Sequence, residues 1–151
     1  MKVLLVGDYY WKMYAKAFYN AFEKRKVQVI KFDTSSYFHD IPNIVGTGAK
    51  KRKLTDYYFL FQNKYNLGPI IRKMNKDLLD LVNQTKPELV FLYRDRYIRP
   101  HILKEIKERG TIIFAYNNDN PFSSFYKKYY WENFFQSLKY CDHIFSYRSS
   151  N

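Results

Sequence analysis

Side chains able to bind a ligand or move a proton gather in this chain at the ends of short apolar runs. Gly7-Asp8-Tyr9-Tyr10 follows Val3 to Val6, Arg94-Asp95-Arg96 follows Leu89 to Tyr93, Asn117-Asn118-Asp119-Asn120 follows Ile112 to Tyr116, and Arg148 follows Ile144 to Tyr147. Carboxylates, guanidinium groups and side-chain amides together are the mixture that hydrogen-bonds a polyhydroxylated or phosphorylated ligand. Gly7, Asp8, Tyr9, Arg94, Asn117, Asn118, Asp119 and Arg148 are the candidate ligand contacts at these tips. The bland reading stands beside this one, because loops at such positions are polar whether or not they bind anything.

Other chemistries find no support in the residues. Gly7 lacks the further glycines that let a dinucleotide pyrophosphate approach a helix start, and the chain holds no Gly-Lys-Ser/Thr phosphate loop. A phospho-receiver needs an acidic pair after its first strand and a lysine after its fifth, where this chain has Asp8 alone and Arg148. His39, His101 and His143 share no helix-face spacing with one another, so no metal site and no cofactor are expected. His39 could accept a proton, although a solvated loop histidine is the simpler reading. Cys141, the single cysteine, reads as a small core residue and excludes a disulfide scaffold.

The polar tips can meet only if the apolar runs are neighbouring strands. Val3 to Val6, Val27 to Phe32, Leu89 to Tyr93, Ile112 to Tyr116 and Ile144 to Tyr147 are short and rich in β-branched or aromatic residues. Four of them are nearly continuous, the pattern of parallel strands covered on both faces. Between them apolar residues recur at helical spacing: Tyr14, Ala17, Phe18, Ala21 and Phe22; Ile71, Met74, Leu78, Leu81 and Val82 after Pro69; Ile102, Leu103 and Ile106 between Pro100 and Gly110; and Tyr130, Phe134, Phe135 and Leu138. Alternating strands and helices predict an α/β, doubly wound, mostly parallel five-stranded sheet in the order 2-1-3-4-5, with helices on both faces. In that order the polar tips share one edge, at the reversal between strands one and three. The irregular stretch Asp33 to Gly68 reads as a long loop, with a short extra edge strand around Ile44-Val45, followed by an aromatic amphipathic helix through Leu54, Tyr57, Tyr58, Phe61 and Tyr65.

With 151 residues, 46% of them apolar and 26% charged, the chain suits one folded domain, and no apolar run reaches the length of a membrane helix. The expected location is cytoplasmic, peripheral at most to the inner membrane face. A net charge of +12 favours an anionic partner. The abundance of Lys, Asn, Ile, Tyr and Phe, all encoded by A- and T-rich codons, makes base composition the simpler source of that charge. Lys50-Lys51-Arg52-Lys53, interleaved with the following aromatics, reads as a solvated loop or as a contact for a lipid-linked or anionic acceptor.

Four segments carry a resemblance to a known family: Pro87-Glu88-Leu89-Val90-Phe91-Leu92-Tyr93-Arg94, Ile102-Leu103-Lys104-Glu105-Ile106-Lys107, Tyr116-Asn117-Asn118-Asp119-Asn120-Pro121-Phe122-Ser123, and Asp142-His143-Ile144-Phe145-Ser146-Tyr147-Arg148. In order and spacing they resemble the amino-terminal domain of the spore-maturation-protein-like glycosyltransferases of GT-B fold. The resemblance implies a Rossmann-like domain on the acceptor side of a two-domain bacterial enzyme of polysaccharide or cell-surface glycan synthesis. It also implies a second, donor-binding domain outside this chain, so that residues 1–151 alone are expected to be inactive. Its implied roles are general base for Asp119 or Asp8 and orientation of acceptor or donor phosphate for Arg94. The alternative, from the basic and aromatic composition, is a non-enzymatic nucleic-acid-binding or small-molecule-binding α/β module, although no nucleic-acid motif is present and no nucleic acid is the expected partner.

Overall fold

A computed structural model describes residues 1–38, 51–94 and 96–146. In chain order the elements are β1 (Lys2–Gly7), α1 (Ala15–Lys24), β2 (Gln28–Asp33), a 3-10 turn (Ser35–Phe38), α2 (Leu54–Tyr65), α3 (Pro69–Thr85), β3 (Leu89–Tyr93), α4 (Pro100–Glu108), β4 (Ile112–Asn117), α5 (Lys128–Ser137) with a 3-10 turn (Leu138–Tyr140), and β5 (His143–Ser146). All four strand pairings are parallel, and the five-stranded sheet runs β2-β1-β3-β4-β5. This is a Rossmann-like α/β fold. The expected edge strand around Ile44-Val45, together with His39, Lys50 and Arg148, lies outside the described residues.

The two-residue period of the strands divides the core in two. Leu4, Val6, Val90, Leu92, Ile113 and Ala115 face α3 and α4, where they pack with Ile71, Met74, Leu78, Leu103 and Ile106. Val3, Leu5, Leu89, Phe91 and Tyr93 face the opposite way, toward Phe18 and Phe22 of α1. Pro69 and Pro100 each occupy the first turn of a helix, where the missing N–H removes no bond.

The two faces are not equally covered, contrary to the expectation from the near-continuous apolar runs. On the α1 side, Ile112, Phe114 and Phe145 line an open apolar trough of about 560 Å³ with Phe18 and Phe22. Ile112 remains 46% exposed and Phe145 44%. All four residues of β5 are exposed.

Helix α2 also departs from expectation. Its aromatic stripe points outward, with Leu54 90% and Phe61 57% exposed, while the polar Gln62 is buried. The reason is the turn that follows. Gly68 sits at φ +112°, where a Cβ would lie 2.4 Å from Gln62 Oε1, and that oxygen accepts the Ile70 amide at 2.8 Å at the start of α3. Gln62 thus satisfies an otherwise orphaned helix amide, which takes its amide side chain inward.

Candidate functional site

The register of the sheet sets its polar tips side by side. Gly7 is opposite Asp33 across β1 and β2, Val6 is opposite Leu92 across β1 and β3, and Tyr93 is opposite Tyr116 across β3 and β4. Backbone bonds continue the sheet past the strand ends: the Thr34 amide donates to the Gly7 carbonyl at 3.0 Å, and the Arg94 amide to the Tyr116 carbonyl at 2.7 Å. Between these tips lies a cleft of about 60 Å³, lined by Asp8, Tyr14, Thr34, Tyr93, Arg94, Arg96, Tyr97 and Tyr130. It sits at the reversal of strand order, where open parallel sheets bind their ligands.

Among the described residues, Asp8 is the carboxylate that lines the cleft. Its Oδ1 accepts the Tyr10 amide at 2.8 Å. Burial pushes its pKa above the ordinary aspartate value, and the nearby Asp33 carboxylate adds to the rise, against lowering by the Tyr10 amide and Arg94. A raised pKa makes the ionised carboxylate a stronger base.

Arg94 leaves β3 in the left-handed region, at φ +48°. Its Nε donates to Asp119 Oδ2 in a charge-assisted hydrogen bond. Burial works against the guanidinium charge, but the Asp119 carboxylate holds the Arg94 pKa above its ordinary value. Asp119 is therefore the partner of Arg94 rather than a second carboxylate lining the cleft, which separates the two aspartates that the sequence presents as equivalent.

Arg96 is 6% exposed and serves as a clamp. Its Nη1 donates to Asn63 O at 2.8 Å and Asn66 Oδ1 at 2.6 Å, and its Nη2 donates to Asn63 Oδ1 and Tyr97 Oη, each at 3.0 Å. Its guanidinium carbon lies 3.9 Å from the Tyr130 ring centroid and 4.4 Å from that of Tyr97. The stack ties α2, α5 and the loop after β3 into one wall.

The remaining sequence candidates divide. Asn117 is buried at the end of β4, its Oδ1 accepting the Asp119 amide at 3.0 Å, and its Nδ2 has no partner among the described residues. Asn118 Oδ1 is likewise buried and unpartnered. Buried polar atoms without partners are uncommon, and neither residue lines the cleft. Gly7 is a packing residue: a Cβ there would lie 3.0 Å from Ala15 Cβ and 3.2 Å from the Tyr93 carbonyl. Tyr9 does not join the cleft. It is 8% exposed, packs in the core beneath α1, and donates its hydroxyl to the Leu5 carbonyl at 3.1 Å. Burial raises its pKa well above the ordinary tyrosine value.

Several cleft residues escaped sequence reasoning. Tyr14, Thr34, Tyr93, Tyr97 and Tyr130 all line it. Burial and the neighbouring Tyr116 push the Tyr93 hydroxyl up to about 12. Asp33, at the end of β2, accepts the Ser35 amide at 3.0 Å and pairs with Lys31 at 3.1 Å. The signal for it was legible, since the order 2-1-3 sets the end of β2 next to Asp8.

The fold and this edge define a Rossmann-like α/β domain with a charged crevice at the switch point. In comparisons with known proteins, no family model, no curated protein and no solved structure matches the chain. Among the described residues no group of three or more His, Cys, Asp or Glu is placed to hold a metal ion, and no helix is long and apolar enough to cross a membrane.

Proposed function

We propose that this chain is the acceptor-side domain of a nucleotide-sugar-dependent glycosyltransferase, its donor held by a second domain. The observation that carries the reading is Asp8, a half-buried carboxylate of raised pKa, lining the switch-point cleft together with Arg94 and Arg96. The family resemblance of residues 87–94, 102–107, 116–123 and 142–148 supports it. In an inverting transfer Asp8 takes the proton of the acceptor hydroxyl as that oxygen bonds to the anomeric carbon. The bond from that carbon to the donor phosphate breaks, its electron pair leaving with the nucleoside diphosphate. Arg94, fixed by Asp119, orients an anionic group of acceptor or donor.

The test is consumption of UDP-, GDP- and dTDP-sugars by the protein with its second domain, against the Asp8→Asn variant. Loss of a general base lowers turnover by about 10²- to 10⁴-fold. Unchanged turnover in that variant removes Asp8 from the reaction. On residues 1–151 alone, amide shifts around Asp8 and Arg94 on titration with simple sugar phosphates support the cleft as the acceptor site, and shifts confined to other surfaces count against it.

A further inference from the structure

Helix α2 carries its apolar stripe away from the protein. Leu54, Tyr58, Phe61 and Tyr65 recur at i, i+4, i+7 and i+11 and so share one face. They are 90%, 49%, 57% and 36% exposed, and Leu67 just beyond the helix is 54% exposed. The Tyr65 ring lies 4.9 Å from that of Phe61 and 5.1 Å from that of Tyr129, which carries the strip onto α5.

The helix cannot roll to bury this strip. Its other side is locked by the Gln62 cap on α3 and by the bonds from Arg96 to Asn63 and Asn66. Rolling it would break these bonds and leave the buried Arg96 charge unsolvated, a penalty larger than the gain from covering a few apolar side chains.

The surroundings of the strip are basic. Lys51 and Lys53 precede the helix and Lys64 lies in its last turn, all three exposed. The one acid of α2, Asp56, is turned to the helix start, where its Oδ2 accepts the Lys53 amide at 2.8 Å. Exposed aromatic and aliphatic side chains bordered by lysines match the boundary of a bilayer, where tyrosines sit at headgroup depth and lysines reach anionic lipid.

We propose that α2 docks this protein on the surface of an anionic lipid bilayer, its strip entering the headgroup boundary and Lys51, Lys53 and Lys64 contacting lipid phosphates. This is independent of the acceptor reading and survives its failure.

The test is co-sedimentation of the chain with phosphatidylcholine vesicles, with and without about 30 mol% phosphatidylglycerol. Binding is expected with the anionic vesicles and is expected to fall sharply in about 0.5 M salt, where the Debye length is only a few Å. Leu54→Ser with Phe61→Ser removes two exposed side chains and lowers partitioning by at least about tenfold. Lys51→Gln, Lys53→Gln and Lys64→Gln together weaken binding to anionic vesicles while leaving the melting curve unchanged. Absence of binding to anionic vesicles overturns the proposal, as does equal binding by wild type and the Leu54/Phe61 variant. Retention of a single-stranded oligonucleotide without vesicle binding assigns the strip to nucleic acid instead. Dimers in sedimentation velocity that depend on Phe61, again without vesicle binding, assign it to a second copy of the chain.

Discussion

Arg94 and Asp119, at the tips of β3 and β4, are joined by a charge-assisted hydrogen bond from Nε to Oδ2 that fixes Arg94 in the wall of the candidate cleft. Arg94 holds its place through a backbone conformation, φ +48°, that few side chains adopt without strain. Asp8, on the neighbouring tip of β1, lines the cleft with Arg94. Two aspartates at equivalent strand ends therefore have different surroundings, Asp119 paired with a cation and Asp8 facing the cleft with a raised pKa.

The Arg94–Asp119 pair is part-exposed, at 30% and 20% of the side chains, so its worth to folding is modest. A double-mutant cycle with Arg94→Ala and Asp119→Asn is expected to give a coupling of about 1 kcal/mol in urea unfolding. Arg94→Gly should be more stable than Arg94→Ala by about 1 kcal/mol, because glycine relieves the positive φ that alanine retains. Equal stability of the two variants would show that the left-handed backbone is not retained once the guanidinium is gone.

Asp8 has a raised pKa in the folded chain, so the folded state holds its proton more tightly than the unfolded state. Its contribution to stability is full at pH below the unfolded value of about 3.9 and is lost as pH rises through the higher folded value. Asp8→Asn keeps an oxygen for the Tyr10 amide and removes the charge. Thermal melts should therefore find the variant more stable than wild type at pH 7, with the difference shrinking as pH falls toward 4. A variant less stable at neutral pH would mean that the charged carboxylate is favoured by its site.

Gly68 admits no side chain. At φ +112° a Cβ would stand 2.4 Å from Gln62 Oε1, the acceptor of the Ile70 amide. Gly68→Ala is expected to cost about 1–3 kcal/mol through strain and loss of that cap. Because both changes act on one bond, Gly68→Ala and Gln62→Ala should be less than additive. Full additivity in urea melts would separate the glycine from the cap.

Much of the fold was legible because a parallel strand leaves a local signature. Val3 to Val6 and Leu89 to Tyr93 sit between two helical layers, so both alternating sets of side chains are apolar, and the run itself announces the strand. Pro69, Pro100 and Gly110 mark helix limits through backbone constraints that need no tertiary partner. The candidate site was legible only in outline. Asp8 and Asn117, both read as ligand contacts, also use their oxygens to cap turns two residues on, and no sequence pattern separates these duties. Tyr9 was misplaced for the same reason: a residue two positions past a strand can point to either side, and the core beneath α1 captures this one.

What the sequence by itself determined is the order of strands and helices, the parallel sheet and the edge on which its polar tips gather, because periodicity and helix-end residues act within a few positions of the chain. The tertiary structure alone decided that Asp119 belongs to Arg94, that Asp8 faces the cleft, and that α2 turns its amides inward and its aromatics out. Those outcomes depend on hydrogen bonds between residues far apart in sequence, such as Arg96 with Asn63 and Asn66, whose strength outweighs the local hydrophobic pattern once the chain has closed around them.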